Sequence, residues 1–211
     1  MGTQITDQER AGHWRKVWRE KSPEGTSWFQ SEPEMSLSMI EAAGFDPSQP
    51  LIDIGGGASL LIDRLIEMGC ADLSVLDIAP EAMRHTRQRL GEKAGRIKWI
   101  AADAARWMPD RQYALWHDRA VFHFLTDPED QSAYAGALRA GLARDGQAVI
   151  ATFALNGPEK CSGLTVQRHG GKSLLAALGG GYEIRDTRTE DHITPGGAVQ
   201  RFFWCRIARA A

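Results

Sequence analysis

Cysteine is scarce in this chain, and the few present form no pattern. Cys70, Cys161 and Cys205 are the only three, widely spaced and without a CxxC pair. An odd, scattered set fits neither a disulfide framework nor a zinc ribbon, and it suits a reducing cytoplasm. No stretch approaches the roughly 18 apolar residues of a membrane helix. The polar start from Met1 to Arg10 lacks the charged-then-apolar layout of a signal peptide. An excess of one charge is missing too: 25 Lys and Arg stand against 27 Asp and Glu, a net charge of -2. Such a balance gives no global attraction to phosphate backbones, so no nucleic-acid partner is expected. Repeats and low-complexity tracts are absent. Tyrosine is rare at three, whereas tryptophan reaches seven in 211 residues. These absences leave a soluble cytoplasmic domain with no membrane segment.

What is present is an alternation of short apolar runs with longer amphipathic ones. Leu51–Ile54, Leu73–Asp77, Arg96–Ala101, Tyr113–Trp116 and Gln147–Phe153 read as strands. Helical patterns cover Ser59–Met68, Pro80–Leu90 and Pro128–Leu142. Strands separated by helices of that length predict a parallel sheet with right-handed crossovers. The end of the chain breaks the rule. Two apolar stretches starting at Tyr182 and Val199 flank Thr194-Pro-Gly-Gly197, too close for a parallel return, so they must form an antiparallel hairpin. Residues 8–43 read as two helical pieces with a break at Ser22-Pro-Glu-Gly25.

The strongest local signal is Leu51-Ile-Asp53-Ile-Gly55-Gly56-Gly57-Ala-Ser59, a strand running through a glycine turn into a helix. Such a turn brings backbone close to a nucleotide at the carboxyl edge of an α/β sheet. It is not the dinucleotide fingerprint, because Leu60 stands where that pattern wants a third small residue. Asp53 would repel a diphosphate there, whereas it can assist in holding an ammonium group. Asp77 closes the second strand, where an acid accepts both hydroxyls of a ribose. Asp103 follows the third strand, placed to accept from an adenine amino group.

Asp53-x-Gly55-x-Gly57, Asp77 and Asp103, with the terminal hairpin, resemble the class I S-adenosylmethionine (SAM)-dependent methyltransferases over about residues 45–211. The resemblance implies a Rossmann-like α/β fold: a seven-stranded, mostly parallel sheet with helices on both faces and a C-terminal antiparallel hairpin. By the same resemblance Gly55 and Gly57 pack against the methionine part of SAM, Asp77 binds the ribose, and Asp103 with Ala104 contacts the adenine. Gly56, Ile78, His117 and Trp28 are added to the cofactor set. Ser59 stands where many members carry a further glycine. Residues 1–44 would then be a helical lid on a SAM-binding domain of residues 45–211.

Acceptor-side candidates lie after the fourth and fifth strands. Trp116-His117-Asp118-Arg119 looks like the Trp-Asp-Arg-Gly segment of the thiopurine methyltransferase group, with Ala120 replacing the glycine. That likeness suggests a small thiol acceptor, with His117, Asp118 and Arg119 as catalytic candidates; the other reading of these three is a cluster that fixes the loop. His117 titrates near neutrality and suits a base. Cys161, His192 and Gln30 are candidate acceptor-binding residues, and no metal is expected. His123, among Val121, Phe122, Phe124 and Leu125, reads as a core histidine. Trp28 and Gln30 lean toward the site, while packing is the simpler account of Trp14 and Trp18. Most tryptophans, including Trp99, Trp107 and Trp116, are expected around one cleft. The expectation is methyl transfer to a small molecule. A protein-lysine methyltransferase and a non-catalytic SAM-binding module are the competing readings, and the motif of amino-methylating nucleic-acid enzymes is absent.

Overall fold

The computed structural model describes residues 6–210; residues 1–5 and 211, and with them the start of the expected lid, lie outside the described residues. Helix α1 spans Asp7–Glu20 and opens on a capping box, Thr6 with Glu9. A short 3₁₀ turn at Pro23–Gly25 breaks the helical run, and α2 covers Glu34–Ala42. Strand β1 (Pro50–Ile54), helix α3 (Leu61–Glu67), strand β2 (Asp72–Asp77), helix α4 (Pro80–Leu90) and strand β3 (Ile97–Ala101) follow. The second half contains β4 (Tyr113–Arg119), α5 (Pro128–Gly141) and β5 (Leu142–Phe153). A two-residue pair, β6 (Lys160–Cys161) and β7 (Leu164–Thr165), turns through Ser162 and Gly163, both at positive φ. Helix α6 (Gly171–Ala177) and the long hairpin β8 (Tyr182–Ile193) and β9 (Val199–Arg209) complete the chain.

The main sheet has seven strands in the order β3-β2-β1-β4-β5-β9-β8. Strands β1 to β5 are parallel, and β9 is antiparallel to both neighbours. Strand order reverses between β1 and β4, and open α/β sheets bind ligands at the crevice outside that switch point.

Alternation along the strands fixes what each face buries. Ile52, Ile54, Trp116, Ala148 and Ile150 pack with Tyr134 and Leu138 of α5 and Leu174 of α6. On the opposite face Leu51, Val75 and Leu115 meet Ile40 of α2, Leu61 and Leu65 of α3, and Met83 of α4. Continuing along that second face, Val149, Ala151, Phe202 and Trp204 meet Met39 of α2 and Cys161 of β6. Helices therefore cover both faces, as the sequence implies.

Two elements differ from the sequence reading. Strand β4 continues through Arg119 instead of ending at Trp116, so His117, Asp118 and Arg119 are strand residues and not a loop. Helix α6 precedes the hairpin in a stretch where no element is expected from the sequence.

Candidate functional site

The glycine turn closes tightly around its acids. Gly55 takes φ +73°, and its amide donates to the Leu76 carbonyl at 2.6 Å, which pins the turn to β2. A β-carbon on Gly57 would lie 2.5 Å from both Ala82 Cβ and Asp77 Oδ2, and one on Gly56 would strike the Asp53 carboxylate. Only glycine leaves backbone this close to two carboxylates.

Asp77 is buried at the end of β2. Its Oδ2 accepts from Gly57 N at 3.1 Å and its Oδ1 from Ala79 N at 2.8 Å. A carboxylate oxygen can accept twice, so each retains capacity for a ligand hydroxyl. Burial raises its pKa to about 6. Asp53, at the end of β1, places Oδ1 2.7 Å from His117 Nδ1, while its Oδ2 is buried with no partner. His117 Nε2 lies 3.0 Å from Ser36 Oγ of α2. An ionised Asp53 can only accept, so Nδ1 carries a proton and both ring nitrogens are engaged.

Two cavities meet at this edge, of about 600 and 800 Å³ counting their open mouths. The first is lined by Asp53, Gly55, Gly56, Ser36, Ser59, His117 and the segment around Thr26, Trp28 and Gln30. The second is lined by Asp77, Ile78, Asp103 and Ala104, with Phe124, Cys161 and Phe202 on its far wall and Arg10, Trp14 and Trp18 of α1 above. Gly55, Trp18, Trp28 and Arg119 border both.

Helix α1 is tied down over the second cavity by Arg10 and by Asp7, whose Oδ2 accepts from Arg106 Nε at 2.6 Å. Arg10 is buried, with Nε on Asp103 Oδ2 at 2.9 Å, Nη1 on Asp130 Oδ2 at 2.7 Å and Nη2 on Asp7 Oδ1 at 2.9 Å. Asp103 Oδ1 accepts from Ala105 N at 2.9 Å. The segment after α1 is stitched to the sheet. Arg119 Nη1 donates to the Trp28 carbonyl at 3.0 Å, and His192 Nε2 to the Ser27 carbonyl at 2.8 Å. Gln30 Nε2 donates to Glu190 Oε1 at 2.9 Å, and Trp204 Nε1 to Glu190 Oε2 at 2.9 Å.

The acceptor-side expectations sort unevenly. Alternation sends His117 and Arg119 to the cleft face and Asp118 to the opposite one. Asp118 lines neither cavity; its carboxylate accepts from Val121 N at 2.9 Å and from Tyr134 Oη at 2.6 Å, a tie that holds the end of β4. Burial raises its pKa to about 6. The next residue but one, Ala120, takes φ 72°, the left-handed conformation that favours glycine. His192 also lines neither cavity and anchors Ser27 instead. Cys161 reaches the second cavity, with burial pushing its thiol up to about 11. His123 is a core histidine as read, accepting from Phe153 N at 3.3 Å, with burial lowering its pKa to about 3. Among the described residues no group of three or more His, Cys, Asp or Glu is arranged to hold a metal ion.

The tryptophan expectation needs correction. Trp14 and Trp18 pack with Ala58, Ala79 and Ala82 as read, and with Trp28 they also line the cleft. Trp99 caps Ala94 under Arg87, and Trp116 lies in the α5 core against Trp107 and Tyr134. Arg10, Ser36, Glu190 and Phe202 were not singled out from the sequence. Arg10 had a signal: it falls on the same helical stripe as Trp14, Val17 and Trp18, and an arginine on an apolar stripe needs buried partners.

Residues 51–146 match the family described as "Methyltransferase domain". Nodulation protein S of Bradyrhizobium diazoefficiens is 28% identical over 120 residues, covering 57% of this chain and 56% of that protein. The chain spans about half the length of the curated relatives it matches. Among solved structures, a SAM-dependent methyltransferase from Anabaena variabilis superposes with a TM-score of 0.75 at 14% identity, covering 100% of this chain and 99% of that one. The N-methyltransferase NodS from Bradyrhizobium japonicum, in complex with S-adenosylhomocysteine (SAH), gives 0.70 at 16% identity, covering 93% and 98%. At such identities the likeness establishes a shared fold.

Proposed function

We propose that this chain, whose residues 51–146 match the family described as "Methyltransferase domain", binds SAM and transfers its methyl group to a small-molecule acceptor. The observation that carries the reading is the alignment of Asp53, Gly55 and Gly56, Asp77 and Asp103 along the carboxyl ends of β1, β2 and β3, against two adjoining cavities. The residues fit the cofactor. Asp77 keeps two free acceptor positions for ribose hydroxyls, and the unpartnered Asp53 Oδ2 suits the ammonium of the methionine end. Asp103, already holding Arg10 and Ala105 N, takes the adenine amino group beside Ala104.

SAM supplies an electrophilic methyl on a sulfonium. The chain's part is to align an acceptor with it and to exclude water. Of the expected lid, residues 1–44, the described part from Thr6 onward covers the cleft. Trp14, Trp18 and Trp28 roof the cleft with aromatic faces, which favour a nearby cation. His117 positions Asp53 rather than drawing a proton from the acceptor, since both its nitrogens are occupied. A 1,6-didemethyltoxoflavin-N1-methyltransferase from Burkholderia thailandensis, of similar fold and solved with 1,6-didemethyltoxoflavin bound, is the neighbour that supports a small acceptor. Sulfur as the acceptor atom rests on the Trp116–Arg119 segment alone.

Incubation with methyl-labelled SAM and panels of thiols, phenols, amines and cell lysate tests the proposal. Label is expected in a small product. Label confined to a protein band, or none transferred to any panel, counts against it.

A further inference from the structure

Among the described residues, one positive charge in the cleft has no ion-pair partner. Arg119 borders both cavities, and among the described residues its only hydrogen-bond partner is the Trp28 carbonyl; Nε and Nη2 are buried with none. Arg10, the other arginine lining the cleft, is held by three carboxylates. The Arg119 guanidinium lies 4.6 Å from the Phe202 ring centre, and burial lowers its pKa to about 10, still charged at neutral pH. Glu190 and Asp53 act on it through space, but neither forms an ion pair with it, and a buried cation left without a close counter-ion is costly. The titratable groups around it are Glu190 and His192 of β8, Cys161 of β6, Asp53 of β1 and His123.

Position indicates where a close counter-ion comes from. Arg119 ends β4 and lies over Phe202 of β9, on the side of the sheet away from Asp77 and Asp103. The methionine end has polar partners of its own in the first cavity, Asp53 with Thr26, Gln30, Ser36 and Ser59. Around Arg119 in the second cavity stand Trp14, Phe124, Phe202 and the Cys161 thiol. The candidate bases are all committed: His117 to Asp53 and Ser36, His192 to the Ser27 carbonyl. Resting on the methyltransferase reading, we infer that the acceptor is an acidic small molecule (a thiol, a phenol or an acidic ring N–H) bound as its anion against Arg119.

The acceptor then loses its proton to solvent on binding. Its lone pair forms the bond to the methyl carbon as the carbon–sulfur bond breaks, and the electron pair of that bond stays on sulfur. Anion and sulfonium both end neutral, so the transfer requires no base from the chain. Arg119 also separates acceptors by charge: a neutral amine leaves the guanidinium unpaired beside the sulfonium, and like charges in a dry cleft repel.

The test uses the full chain saturated with SAH and two probes of similar size, 4-nitrophenol, whose absorbance reports its ionisation, and neutral 4-nitroaniline. Wild type binds the phenolate at least about tenfold more tightly than the aniline and lowers the apparent pKa of bound 4-nitrophenol by about one unit. Arg119→Met loses both effects while SAM and SAH affinities stay within about threefold. Arg119→Lys, which keeps the charge, retains part of the preference and covers the case in which the Met variant does not fold. Equal binding of the two probes, or binding of neither, overturns the inference. So does a tenfold loss of SAM affinity in Arg119→Met with the probe preference intact, which would put the methionine carboxylate on Arg119. Failure of wild type to bind SAM is a separate result, and it removes the methyltransferase reading beneath.

Discussion

Replacing Arg10 with Met isolates the tie between α1 and the domain. Methionine keeps much of the apolar stem but removes three charge-assisted hydrogen bonds, to Asp7, Asp103 and Asp130. Removing one partner of a buried ion pair costs about 3–5 kcal/mol, because the other charge stays buried and unpaired. Here the carboxylates keep other partners: Asp130 retains Arg106 at 2.7 Å and Asp103 retains Ala105 N at 2.9 Å. The lower end, about 3 kcal/mol, is therefore expected. That loss falls on the docking of α1, which reaches the domain through Arg10, Trp14, Trp18 and the Asp7–Arg106 pair, and not on the central sheet. Hydrogen exchange resolves the difference. Local opening of α1 should speed exchange of its amides roughly 100-fold, with β1, β4 and β5 unchanged. Combining Arg10→Met with Asp130→Asn should cost clearly less than the sum of the single changes, because the two act on one pair. Exchange in α1 that moves less than about threefold would refute the idea that this arginine latches the helix.

Gly57→Ala would place a β-carbon 2.5 Å from Ala82 Cβ and Asp77 Oδ2. Backbone must shift to admit it, so a loss of about 1–3 kcal/mol in denaturant unfolding is expected, with SAM affinity falling alongside. Tyr134→Phe removes the hydroxyl between Trp116 Nε1 and Asp118 Oδ2, at 2.9 and 2.6 Å. Asp118 keeps its bonds from the Val121 and Phe122 amides, but Trp116 Nε1 is left buried and unpaired, which should cost about 1–3 kcal/mol in the same assay, while SAM affinity is unchanged. His123 gives a pH signature. Its folded pKa is lowered by burial from 6.5 to about 3, so the unfolded state takes up a proton first, and stability falls as pH drops from 6.5 toward 3. Asp77 and Asp118, raised from 3.8 to about 6, act in the opposite sense: their contribution is present at low pH and is lost as pH rises from 3.8 to about 6. Urea melts of wild type and His123→Gln between pH 7 and 4 should show a shallower acid loss in the variant.

The parallel half of the sheet was legible because each strand carries its own apolar run and turn, and the glycine turn marks its own place at the sheet edge. The hairpin was legible from spacing alone. The end of β4 was not. His117, Asp118 and Arg119 are polar, which reads as loop, yet each is satisfied or sheltered by an element distant in sequence: Ser36 of α2, Tyr134 of α5, Phe202 of β9. Had the strand been extended, alternation would have separated Asp118 from the other two. Helix α6 is short and glycine-flanked, and its apolar residues Leu174 and Leu175 reveal a face only against the α5 core. The tryptophans sorted by element: those before residue 30 meet the cleft, while Trp116 follows the inward-facing parity of its strand.

The central claim is that Asp77 holds the ribose of SAM in a cleft built by β1, β2 and β3. Calorimetric titration of SAM into wild type and Asp77→Ala, with thermal unfolding to show that both are folded, tests it most directly. Wild type should bind, and the variant should bind about 100-fold more weakly, having lost two hydrogen bonds to a charged group. No binding by wild type, or equal affinity in the folded variant, would contradict it.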